Sequence, residues 1–210
     1  MNSKVTGWLL TVSPIVAVTM WFFVAPNTQD MNPAQSLDEL LENKTLAYIG
    51  GLFGTLAFAS VLLSHALLAR SLRGAGKPGA TCAELASILI LLLIPVILVG
   101  SGYTWEAVNE AAKDGGDKAL ALDILINAEG VQKMIQIIWP LGVILLSTAL
   151  IMQKRFHVAV GYILLVIGGV AIIGGLLDES FPDAIGIPLF MGMFLMTVVM
   201  GILTIINKDE

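Results

Sequence analysis

Charge is what this sequence has least of. Only 13% of its 210 residues are charged, where a soluble domain carries about 25%. Apolar residues make up 57% of the chain, and glycine accounts for 21 positions. A water-soluble fold of this length could not hide so much apolar surface, so a soluble protein is set aside. The net charge is −5 and no dense basic patch occurs, which argues against nucleic acid as a partner. A single cysteine, Cys82, cannot form an internal disulfide. There is no GxSxG, no HExxH, no Walker loop and no cysteine pair. No nucleophile–base set stands out, so no catalytic residue and no metal ligand is assigned and the chain reads as non-enzymatic. Most informative of all, the long apolar runs contain no Asp, Glu, Lys or Arg at mid-depth. Pumps, ion-coupled carriers and voltage sensors need such groups. Passage of a neutral molecule does not.

What the sequence does have is six apolar stretches, at about 5–24, 45–69, 85–103, 134–153, 156–177 and 188–206. A helix crosses a bilayer with about 20 apolar residues. The predicted fold is therefore all-α: one polytopic domain over 1–210, a six-transmembrane-helix bundle in contact with lipid. The fourth and fifth stretches are separated only by Lys154 and Arg155, and two cations are too costly in hydrocarbon to continue as one helix. A tight hairpin is expected there. The apolar run after Met1–Lys4 continues to Val24 without a small-x-small cleavage site, which predicts an uncleaved first span.

Orientation follows the cations. Lys4, Arg70, Arg73, Lys77, Lys154, Arg155 and Lys208 fall on one side, against Lys44, Lys113, Lys118 and Lys133 on the other. The longer loops thus carry the fewer cations, which predicts cytoplasmic N- and C-termini. Trp8 and Trp21 mark the two ends of span one. Tyr48, Tyr103 and Trp105 mark outer ends of spans, where an aromatic ring and its polar tip are both accommodated. One or two short external interfacial helices are expected. One begins with a capping box at Ser36-Leu37-Asp38-Glu39, runs through Asn43 and turns Leu37, Leu40 and Leu41 to the membrane. The other covers Asp117–Ala128, with Leu120, Ile124 and Val131 on one face; Gly115-Gly116 breaks it from span three.

Glycines at 161, 168 and 175 form a stripe on span five. Gly50, Gly51 and Gly54 do so on span two, predicting close helix approach. Pro14, Pro95 and Pro140 interrupt three spans and free a carbonyl each. Gln136, Trp139 and Pro140 form a polar-aromatic group in the outer third of span four, the candidate ligand contact. His65 and His157, the only histidines, both fall near the inner face, and together could ligate a haem. The outer acids Asp178, Glu179, Asp183, Glu106 and Glu110 could draw a cation to the external mouth.

In order of features the chain resembles a poorly characterised bacterial family of six-span membrane proteins of unknown function. The shared pattern is a first span, an acidic outer loop with a short helix (Ser36-Leu37-Asp38-Glu39-Leu40-Leu41), and a Gly-rich span ending Leu-Leu-Ala-Arg-Ser-Leu-Arg. A long outer loop and a short basic turn into a Gly-rich span five follow. The resemblance implies a prokaryotic inner or plasma membrane location and supplies no site residues. Three functions stay open: a non-catalytic structural or accessory subunit with protein partners or copies of itself, a carrier or binding protein for a small neutral or lipophilic molecule, and a haem-binding electron-transfer subunit.

Overall fold

The structure, a computed structural model, describes residues 3–28, 31–177 and 183–206. Among them there is no strand. In chain order the helices are α1 (Ser3–Thr19), a π-helical turn (Met20–Val24), α2 (Pro33–Glu42), α3 (Lys44–Ser71), α4 (Ala80–Ala112), α5 (Lys118–Gln153), α6 (Val158–Leu177) and α7 (Asp183–Ile206). Six are long and apolar enough to cross a membrane: α1 with its π turn, α3, α4, α5, α6 and α7. The chain is thus a multi-pass α-helical membrane protein. Large apolar side chains face outward, as lipid requires; on α6 these are Tyr162, Val166, Ile173 and Leu176.

The chain divides into two compact units, each taken by itself here. One comprises 16–59 and 95–134, the other 1–15, 60–94 and 135–210.

In the first unit, most of the long outer loop expected after span three turns out to be helix. α4 continues beyond residue 103 to Ala112, and α5 begins at Lys118. At 33 and 36 residues, these helices are roughly 50 Å long, against about 30 Å of hydrocarbon. The expected separate helix over 117–128 is the first part of α5. Asp117 caps it, its Oδ1 accepting from Ala119 N at 2.9 Å and Leu120 N at 3.2 Å. The break before it is where glycine predicted: α4 stops, and Gly115 takes φ +73°, a conformation glycine adopts without a Cβ clash. The buried face of this stretch is Ala121, Leu125 and Ala128, while Leu120 is 47% exposed. Leu125 and the small Ala121 make the contact with Ile124 packed beside them, as expected for Ile124, whereas Leu120 does not take part.

α2 also starts earlier than Ser36. Its N-cap is Asn32, whose Oδ1 accepts from Gln35 N (3.0 Å) while Gln35 Oε1 accepts from Asn32 N (3.1 Å). Pro33 occupies the first helical position, where its missing N–H costs nothing. Ser36 is consequently a buried residue inside the helix. Leu37 does not face lipid. It is buried with Ala107, Val108, Ala121 and Leu125, and Leu40 and Leu41 pack against the same cluster. Glycines supply the remaining close contacts of this unit. A Cβ at Gly51 would meet the Trp105 indole, and one at Gly54 the Trp21 indole. Trp105 then packs at a tilt against Tyr48 (4.7 Å) and Trp21 against Phe58 (5.3 Å).

In the second unit, the glycine stripe of α6 packs against α5. A Cβ at Gly168 would lie 3.2 Å from Pro140 O, and one at Gly175 3.0 Å from Gln136 O. Gln136 O is the carbonyl that Pro140, lacking an N–H, leaves without its helical partner. Glycine at 175 lets α6 come down on that carbonyl, which a Cβ there would crowd. Gly7 of α1 and Gly201 of α7 meet in the same way. The hairpin between α5 and α6 closes at Lys154, φ +51°. Arg155 N donates to Leu150 O and Lys154 N to Ile151 O, both 3.2 Å. This is a Schellman ending with lysine where glycine is usual. Close by, Gln153 Nε2 donates to Leu72 O (2.7 Å) and Pro78 O (3.0 Å), tying the α3–α4 loop to the end of α5.

Candidate functional site

Polar side chains cost free energy in an apolar interior unless hydrogen-bonded, so a buried histidine marks the place to look. His65, on α3, is 1% exposed. The helix itself provides its first partner: Val61 O, one turn back, lies 3.1 Å from Nδ1. A carbonyl only accepts, so Nδ1 carries the hydrogen. Nε2 lies 3.1 Å from Thr197 Oγ1, on α7. With Nδ1 holding the hydrogen of a neutral imidazole, Nε2 presents a lone pair to the hydroxyl. Thr197 has one hydrogen and two takers, Nε2 and Met193 O at 2.7 Å.

Around this pair lies an aromatic shell. Trp139 of α5 is 1% exposed, its ring 6.4 Å from that of His65. Phe190 and Phe194 of α7 meet Trp139 edge-on, at 5.9 and 5.5 Å, and each other at 4.8 Å. Edge-to-face pairs of this kind add about 0.5–1.5 kcal/mol each beyond the area they bury. Three helices distant in sequence thus meet at one hydrogen-bonded pair inside packed rings.

The expected site residues separate. Trp139 and Pro140 are buried, but Gln136 is exposed. The three do not form one polar-aromatic contact. Only Trp139 joins His65. His157 stands on the exposed turn before α6, where its Nδ1 accepts from Ala159 N at 3.3 Å. Haem ligation needs a free imidazole nitrogen aimed at open space. In His65 the Nδ1–H on a carbonyl resembles a metal-bound histidine, yet Thr197 occupies the Nε2 side. The two histidines do not fit a shared haem. Of the acids expected to attract a cation, Asp178, Glu179 and the side chain of Asp183 lie outside the described residues. Glu110 pairs with Lys113 within its own helix end.

Thr197, Phe190 and Phe194 were not legible as site residues. Thr197 is 132 positions from His65, and in an apolar helix a threonine ordinarily bonds back to its own backbone, as this one also does. No protein-family model, no curated protein and no solved structure matches the chain.

Proposed function

We propose that the chain is a non-catalytic structural or accessory subunit of a larger membrane assembly, in a prokaryotic inner or plasma membrane with both termini cytoplasmic. The observation that carries this reading is the use of the buried pair at the His65 site: His65 Nδ1 is spent on Val61 O, Thr197 Oγ1 on Met193 O, and Nε2 faces that hydroxyl beside packed aromatic rings. Such a site pins α3, α5 and α7 together and presents no reactive group. A rigid apolar body of this kind serves as a scaffold for protein partners or for further copies of itself.

Extraction of native membranes in a mild detergent, followed by mass measurement of the intact particle, tests the proposal. The expected particle contains more than one polypeptide in fixed ratio. A single chain with no companion would overturn it. The absorption spectrum of the same native material is expected to lack a Soret band, and a Soret band would reinstate the haem-binding reading.

A further inference from the structure

α2 is unlike the six long helices: it has 10 residues, and one non-helical residue, Asn43 (φ −107°, ψ 32°), joins it to α3. We infer that α2 is a strap that undocks and redocks as one piece over the ends of α4 and α5 that meet at the Gly115 turn, while those two helices stay paired. The inference lies within the first unit and does not rest on the subunit reading.

Hydrogen bonding is the first argument. α2 satisfies its own ends. At the start, Asn32 and Gln35 exchange side-chain and backbone bonds. At the finish, Asn43 Nδ2 donates to Glu39 Oε1 at 2.8 Å and Asn43 N to Glu39 O at 3.1 Å. None of these bonds reaches α4 or α5, so none is lost on undocking. Among the described residues the one polar tie from α2 to its seat is Lys118 Nζ donating to Asp38 Oδ1, with both side chains two-thirds exposed. An ion pair so exposed holds weakly.

Packing is the second. Ser36 and Leu37 are the buried residues of α2. Leu37 enters the cluster of Ala107, Val108, Ala121 and Leu125, and Leu40 and Leu41 lie part-buried at its edge. The hold is therefore apolar contact centred on one leucine. The seat has other support. Ala107 and Val108 belong to a helix of 33 residues, Ala121 and Leu125 to one of 36, and the two pairs share the cluster with each other. A piece held by few buried contacts opens before the elements it covers.

The two states differ in what they show. Closed, α2 helps to cover Val108, which is 0% exposed. Open, it bares an apolar patch on the part of α4 that continues past the apolar run 85–103. A free helix of ten residues is marginal in water, so α2 loses its amide protection when it leaves. Amide exchange thus reads the strap, and a cysteine in the seat reads the patch.

Hydrogen exchange of the full chain in lipid nanodiscs, read by mass spectrometry against free-peptide rates, compares 33–42 with 119–128. In wild type, 33–42 is expected to exchange at least about tenfold faster. L37A removes the anchor and should speed 33–42 about thirtyfold or more, leaving 119–128 nearly unchanged. D38N, which breaks only the exposed bridge, should speed it by about twofold. In a C82S background, V108C should react with a soluble maleimide at a rate that follows the exchange of 33–42, with Leu37 intact and in L37A. Segments 33–42 and 119–128 exchanging in step in wild type would overturn the inference, as would L37A speeding both alike. Fast exchange of 33–42 with V108C unreactive would also overturn it, because α2 would then be fraying in place. The wild-type exchange and the V108C rate with Leu37 intact decide the matter even where L37A fails to fold.

Discussion

Thr197 carries one hydroxyl hydrogen, and at the scale of single residues this fact sets the strength of the His65 site. Replacing it in T197V leaves the Nε2 lone pair buried without a donor, which costs about 1 kcal/mol in a membrane interior. Reversible unfolding in mixed detergent micelles should show that loss. The double variant H65L/T197V should cost less than the sum of H65L and T197V, because the two groups are removed together. Additive losses would mean that the pair contributes nothing as a pair. Lys154 offers the opposite case. A non-glycine residue at φ +51° is strained by roughly 1 kcal/mol, so K154G is expected to raise the unfolding midpoint by a similar amount. The Lys118–Asp38 bridge, 2.9 Å long but two-thirds exposed on both sides, should matter little: D38N is expected to shift stability by less than about 0.5 kcal/mol.

Helix pairs are held by absence of side chain as much as by its presence. A Cβ at Gly201 would lie 2.7 Å from Thr11 N and 2.8 Å from Gly7 O. Both atoms are backbone, so α1 and α7 would have to separate. G201A should therefore destabilise by about 1–3 kcal/mol. Gly130 lies within α5 with nothing within 4 Å of its would-be Cβ. G130A is expected to stabilise by about 0.5–1 kcal/mol, the helix propensity difference. Thermal unfolding of the two variants side by side checks both signs, and a loss in G130A would show that its face is covered in the native membrane. Glycine spacing along α6 revealed the stripe but not its partner. That α5 receives it depends on the carbonyl freed by Pro140, whose position only the packed helices reveal.

For the whole molecule, the proposed topology puts the Lys154 turn on the side of the termini and the Asp114 turn on the other. In a C82S background, D114C should react with a membrane-impermeant maleimide in intact cells. K154C should react only after the membrane is opened. Equal reactivity in intact cells would refute the orientation. Both positions are exposed, so accessibility to the reagent reports sidedness and not burial.

The number and type of spans were settled by the sequence, because hydrocarbon cannot solvate a bare peptide group and each long apolar run must satisfy its own backbone as helix. The hairpin at Lys154-Arg155 and the break at Gly115 followed from equally local physics, the cost of charge in hydrocarbon and the freedom of glycine. Tertiary structure decided which equally good local signals were used. Asn32-x-x-Gln35 and Ser36-x-x-Glu39 both fit a capping box, and packing of Leu37 on Ala107 and Leu125 accompanies the first. It decided as well that α4 and α5 run on through what composition presents as loop. Above all it chose partners for His65, since a hydrogen bond to a threonine 132 residues away leaves no trace in spacing or periodicity: a sequence records which faces are apolar, and only the packed helices determine which faces meet.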